Sequence, residues 1–311
     1  MTACSVVRRT YATVAASQSK DGKPLRRWRK RLHSSWVALL HSKTCGKWYT
    51  SLDAAAMRPF LSIYPSLPLK PLKPYLSLDL SVDERARVIQ NSLSLLASHW
   101  DSFQQILIGQ KPVVATIELG AESKATLCLE YNAQKEGELT LLLRAADGRI
   151  AAMSAFAFDN TPDGDSVMRI ARIQGVKDHE LLRGLEKTMH GLRPKSLMLF
   201  ASQEVAHALN ATAIYGVSNT NQVFNKKVLI PLAGLHKKMP FDYDAFWIEA
   251  GGRLGPDGWF CLPLRLEKRD AAEMKPNKRS MYRKRYAMLD EVSEQMHRAL
   301  NPSFSHRSSL A

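Results

Sequence analysis

No stretch of the 311 residues approaches the roughly 18 consecutive apolar residues of a membrane-spanning helix, so no such span is expected. Cysteine is scarce: Cys4, Cys45, Cys128 and Cys261 are widely spaced and form no CxxC pair. Disulfide frameworks and zinc sites need closer or repeated spacing, so a reducing compartment is expected. The nine histidines do not cluster, and no metal site is expected. A Walker sequence, HExxH and GxSxG are all missing, which sets aside P-loop NTPases, zinc peptidases and serine hydrolases of that pattern. Arg8-Arg9 begins like a leader, but Thr10, Tyr11, Thr13, Ser17 and Gln18 interrupt any apolar core behind it. A cytoplasmic protein is the expectation.

Acid is nearly absent from one region. Residues 1–50 hold 11 Lys or Arg and the single acid Asp21, while residues 265–311 hold 11 basic and 6 acidic residues. The intervening chain is neutral, so the net charge of +15 resides at the two ends. Such ends suit an anionic partner: a phospholipid surface, an acidic protein or nucleic acid. Plain solvation of basic tails accounts for the same composition.

Residues 1–24 are small and polar without an apolar period, which predicts a disordered basic tail. Residues 25–80 are expected to hold N-terminal helices and a proline-rich connector. Trp28, Leu32, Trp36 and Leu39 fall on one helical face, with Arg27, Lys30 and Arg31 off it. That arrangement fits a bilayer surface, with rings at the headgroups and cations on phosphate. It equally fits a helix docked on the protein's own core. Pro59, Pro65, Pro68, Pro71 and Pro74 predict an extended connector lying along the body. A body over residues 81–300 follows, and a tail over 301–311. Ser81 to Glu84 reads as a capping box opening a helix that reaches about Gly109. Period-two alternation then predicts a five-strand meander from Val113 to Ile173, including a hairpin at Asp147-Gly148. From Ile173 to Asn221 the pattern is strand, helix, helix, strand, a crossover whose strands end where ligands usually sit. Trp259 to Leu266 reads as a strand and Asn277 to about Leu300 as a helix. The fold class is α+β: a largely antiparallel sheet with flanking helices and a helical N-terminal region.

The runs KWYTSLDAAAMRPFLSIYP, LPLKPLKPYLSL, MHGLRPKSLML, IYGVSN, DYDAFWIEAGG, DGWFCLPL and KRSMYRKRYAMLDE, in this order, resemble the VirK/YbjX family of bacterial proteins. The resemblance spans about residues 47–292. It implies a Gram-negative cytoplasmic protein associated with virulence, envelope integrity and resistance to cationic antimicrobial peptides. It supplies no reaction and no catalytic residue. The order of elements is also similar to the acyl-CoA-dependent N-acyltransferase fold, whose central loop carries Q/R-x-x-G-x-G/A and cradles a pyrophosphate. Here that loop is Gln174-Gly175-Val176-Lys177-Asp178-His179, with one glycine and an acid where phosphate wants none. Acyl-CoA or acyl carrier protein are the acyl donors this similarity implies.

Gln174, His190 and Asn219 are the candidate catalytic residues on that reading. His190 ends a helix, where imidazole can act as a base or a cation can simply complement the dipole. Ser218 to Asn221 follow a strand and can hold a carbonyl or an amine, or merely form a turn. Asp242 and Asp244 offer paired carboxylates or helix N-caps. Arg279, Arg283, Lys284 and Arg285, with Tyr282 and Tyr286 between them, join Arg27, Lys30 and Arg31 as candidate anion-binding residues. Met281, Met288, Val292 and Met296 on the other side of that helix read as core. The aromatics sit on a helix rather than on strands, which argues against an RNA-binding module. Three functions are therefore expected in descending order. These are an envelope-defence protein peripheral to the inner membrane, an N-acyltransferase-like enzyme modifying a lipid or protein amine, and a post-transcriptional regulator binding RNA.

Overall fold

Short alternating segments separated by tight turns make the meander. Strands β1 (Val113–Gly120), β2 (Ser123–Gln134), β3 (Gly137–Arg144), β4 (Ile150–Asn160) and β5 (Ser166–Gly175) each pair antiparallel with the one before. The computed structural model describes residues 1–17, 24–107, 110–120, 123–224, 241–268 and 275–300. After β5 the chain crosses over through α7 (His179–Thr188) and α8 (Pro194–Ala208) to β6 (Ala213–Val217), which lies parallel to β5. Helix α9 (Tyr243–Glu249) leads to β7 (Arg253–Leu254) and β8 (Trp259–Leu262), and the sheet order is β1-β2-β3-β4-β5-β6-β8-β7. The largely antiparallel α+β architecture expected from the sequence is the one observed.

Both faces of the central strands are covered, which explains why β3 is buried along nearly its whole length. On β4, Ser154 hydrogen-bonds Ser202 of α8 at 2.8 Å. Five residues on, and so on the opposite face, Asp159 accepts from Asn91 of α5 (Val82–Ser98) at 3.0 Å. Helix α10 (Pro276–Leu300) packs on α8 and β1, burying Val292 and Met296. Met281 and Met288 are only half-buried, so half of the stripe read as core lies at its margin.

The sequence reading fails in four places. Residues expected to be a disordered tail instead form α1 (Ala3–Ala16), capped by Thr2, with Val6, Thr10 and Val14 buried at four-residue spacing. Small and β-branched residues hid that stripe, and Thr10 reaches Tyr49 of α3 (Ser42–Leu52) by a 2.6 Å hydroxyl contact. The proline-rich connector is not extended throughout. After α4 (Arg58–Ile63) it winds into a 3-10 helix over Leu67–Leu72, whose prolines supply helical φ and need no donor. The helix opened by the Ser81–Glu84 capping box breaks at His99, and α6 (Trp100–Leu107) continues separately. The strand begun at Trp259 ends at Leu262. The expected 301–311 tail and the basic residues Lys226, Lys227, Lys237 and Lys238 lie outside the described residues.

One buried charge pair fastens the connector to the sheet. Lys70 Nζ donates to Glu138 Oε1 on β3 at 2.5 Å, and Tyr75 Oη donates to the same oxygen at 2.9 Å. Both charged side chains are almost fully withdrawn from solvent. Burial pulls the Lys70 ammonium down and the Glu138 carboxylate opposes it, while burial pushes the Tyr75 and Tyr131 phenols well up. Removing one partner strands the other charge, at a cost of about 3–5 kcal/mol. Glu138→Ala should therefore lower the urea midpoint strongly, whereas Lys70→Met combined with Glu138→Leu should recover most of the loss. An additive double variant would show that the pair is not coupled.

Candidate functional site

The only parallel pairing among the described strands is short. Val167 to Ile170 of β5 match Ala213 to Gly216 of β6, after which β5 continues to Gly175 against β4 alone. The two strands thus part at their carboxyl ends, the usual ligand position in a crossover sheet. Side chains fill the gap. Buried Gln222 donates through Nε2 to the Ala171 carbonyl at 3.3 Å. Tyr243 is buried nearby, its phenol raised by burial and by Glu136. Arg172 donates to Glu136 at 3.0 Å and to Gln174 Oε1 at 2.6 and 3.0 Å. Burial raises the Glu136 carboxyl, and Arg172 opposes that rise. Gly216 is required here, because a Cβ would lie 2.5 Å from the Trp247 ring, whose indole donates to the Val217 carbonyl at 2.9 Å.

Asn219 closes the end of β6. Its backbone N–H donates to Asp244 at 2.8 Å, its side-chain amide donates to Asp242 at 2.7 Å, and its Oδ1 accepts from Tyr243 N–H at 2.8 Å. Asp242 also caps α9 by accepting from Ala245 N–H at 3.1 Å. That amide and Asn219 hold its carboxyl below the usual range. Asp242 therefore acts as the α9 cap and Asp244 as an acceptor for the Asn219 N–H, so the polar turn is a clamp between β6 and α9.

The three candidate catalytic residues do not converge. Gln174 is engaged by Arg172, Asn219 by Asp242 and Asp244, and His190 sits at the far end of α7, a ten-residue helix about 15 Å long. His190 is left-handed at φ 54°, followed by Gly191 at φ 73°. Its carbonyl accepts from Arg285 Nε at 3.1 Å and Nη2 at 2.8 Å. Its surroundings include Glu118, Lys284 and Glu291 around a cavity of about 290 Å³. At the start of α7, Asp178 accepts from Leu181 N–H at 3.0 Å and pairs with Arg149 at 2.7 Å. The chain's own carboxylate thus occupies the helix end where a pyrophosphate would require bare amides.

The basic amphipathic helix α2 (Pro24–Leu40) resolves differently from a core-docked helix. Trp28 is 57% exposed, Leu32 45%, Trp36 61% and Leu39 44%, with Leu25 at 78% and Leu40 at 64% extending the same stripe. The opposite side faces α1 and the body through Arg31, Ser34, Ser35 and buried Ala38. Arg29 and Lys30 are exposed, and Arg31 lies over the Tyr11 ring at 5.5 Å. The Arg27 side chain lies outside the described residues. On α10, Arg279, Arg283 and Lys284 are exposed, while Arg285 is turned inward onto His190 and the Tyr282 ring at 4.5 Å. Sequence reasoning missed Leu25 and Leu40 in the stripe. It also missed Glu136, Arg172 and Gln222, because Glu136 lay in a turn signal and the others in unremarkable polar positions.

A family model described as "Protein of unknown function (DUF535)" matches residues 23–298. The chain belongs to this family. An Escherichia coli (strain K12) relative, "Uncharacterized protein YbjX", is 27% identical over 294 residues, covering 92% of this chain and 88% of its own. Two uncharacterized proteins of Haemophilus influenzae are 29% identical over 217 residues and 37% identical over 134. The first alignment covers 68% of this chain and 70% of the relative, and the second covers 42% of each. The VirK/YbjX resemblance read from the sequence is consistent with these matches. Among the described residues no helix is long and apolar enough to cross a membrane, and no three His, Cys, Asp or Glu group as metal ligands.

His190 contributes backbone shape and a carbonyl to this DUF535 member. His190→Gly should leave the thermal midpoint unchanged or slightly higher, because glycine adopts positive φ without strain. Arg285→Ala should lower it, by uncoupling the α7–α8 turn from α10. A midpoint that falls with glycine would assign the imidazole a structural role of its own.

Proposed function

We propose that the protein binds the anionic surface of the inner membrane through α2, and in that position supports envelope integrity, virulence and resistance to cationic antimicrobial peptides. The outward Trp28–Trp36 face of α2 is the single observation that carries this reading. A water-soluble body rarely leaves six large apolar side chains of one helix exposed on one stripe without a surface to cover them. Tryptophan suits the headgroup level, and cations next to anionic lipid contribute about 1 kcal/mol each. The concentration of positive charge at the chain ends supports the same partner, with Arg283 and Lys284 available as further phosphate contacts.

Flotation with phosphatidylglycerol-containing vesicles tests it. Binding should fall between about 50 mM and about 500 mM salt as the Debye length shortens. Trp28→Ser with Trp36→Ser should abolish flotation without lowering the thermal midpoint. Unchanged flotation in that double variant, or a dimer that disappears with it, would assign the face to something other than lipid.

A second reading rests on the strand order. One parallel pair that parts after four residue pairs, followed by an antiparallel β6-β8-β7 ribbon, supports N-acyltransferase-like chemistry on a lipid or protein amine. The Asp178 cap argues that the donor is not held by its pyrophosphate in the usual manner. A thermal-shift titration against coenzyme A, acyl-CoAs and acyl carrier protein tests this. A donor at about 100 times its Kd should stabilise by about 2.7 kcal/mol. No shift with any donor would remove the reading.

A further inference from the structure

A second cavity lies beyond the carboxyl end of β5, between α7, the start of α8 and α9. Its volume is about 350 Å³, at the small end of ligand pockets. Leu182, Pro194, Phe241, Ala245 and Phe246 provide an apolar lining. The charged groups around it are not equivalent. Asp242 is committed to Asn219 and the α9 cap. Arg193 and Glu249 form an ion pair with each other across the rim.

Lys195 is different. Its stem passes over Gly175, the last residue of β5, and its Nζ lies 3.7 Å from the centroid of the Phe241 ring. Among the described residues no carboxylate acts on it, and Arg193 nearby is a like charge. Burial and Arg193 together pull its ammonium below the usual lysine value. A half-buried cation in an apolar wall, with no acid partner among the described residues, can donate a charge-assisted hydrogen bond to an anion. Glu186, the remaining acid of the lining, sits on α7.

We propose that this cavity binds a small amphiphilic anion, its acidic headgroup on Lys195 and a short acyl chain along Leu182, Pro194, Phe241 and Phe246. The cavity of about 350 Å³ suits a short chain, and a larger amphiphile would have to extend out of its mouth. The headgroup is a carboxylate or a phosphate, since either meets the ammonium with charge-assisted hydrogen bonds. The site lies outside the α2 face and does not depend on membrane binding.

Calorimetry on the full-length protein with octanoate, octyl phosphate, octanol and octylamine tests it. Octanoate or octyl phosphate should bind, and the tighter of the two identifies the headgroup. Octanol and octylamine should bind at least about tenfold more weakly, as expected for losing a charged hydrogen bond. Lys195→Met should weaken the anion by about the same factor, and Lys195→Arg should retain part of the affinity. The bound anion should also protect Lys195 from reductive methylation, a readout that locates the ligand without any variant. Octanol binding as tightly as octanoate, tighter binding of octylamine, or unprotected Lys195 would overturn the proposal.

Discussion

The salt bridge between Lys70 and Glu138 is the constraint on which the arrangement of the molecule depends. It lies where an irregular, proline-rich segment meets the central strands, and a strand such as β3 has no other reason to present a carboxylate to the interior. Tyr75 adds a second donor to the same oxygen, so the connector is held at two points five residues apart. Everything N-terminal to it, including α1, α2 and α3, is positioned by that attachment and by the apolar core running from Val6 to Leu300. A buried ion pair is a poor source of stability compared with well-packed apolar groups, but it admits few alternative registers. The 3-10 helix between Leu67 and Leu72 fits this role, since its prolines leave few backbone conformations to explore.

A contrasting use of charge appears at the crossover. Arg149 with Asp178, and Asn219 with Asp242 and Asp244, spend polar groups on closing the ends of strands and helices. The places that the topology offers to a ligand are therefore largely self-satisfied. Lys195 departs from that pattern: Asp242, Arg193 and Glu249 beside it have partners within the chain, while its own charge lies over the Phe241 ring with no acid partner among the described residues.

Much of the scaffold was legible because it follows period-two and period-3.6 patterns with strong turn signals, as at Asp147-Gly148. Capping boxes and caps at Ser81 and Asp242 were legible for the same reason: they are local. What escaped reading depends on tertiary partners. α1 carries a stripe of Val6, Thr10 and Val14 too weak to see without Tyr49 to receive it. The proposed meeting of Gln174, His190 and Asn219 failed because sequence order does not reveal on which side of a sheet, or at which end of a helix, a side chain finishes. Orientation of α2 was undecidable for a related reason: an apolar stripe has the same period whether it faces a core or faces out.

Helix α2 is not a flexible appendage. It packs on α1, which is itself held to α3 by Thr10 and Tyr49 and by the Arg9–Asp53 pair. Any surface that receives the tryptophan face consequently receives the sheet in a fixed attitude. On a bilayer the molecule keeps lateral diffusion and spin about the normal but loses its tilt, so the same strand ends keep one inclination to the surface in every docked molecule. A partner approaching from the aqueous side would meet a single aspect of the protein, with only its spin about the surface normal left to search, unlike a body on a loose leash.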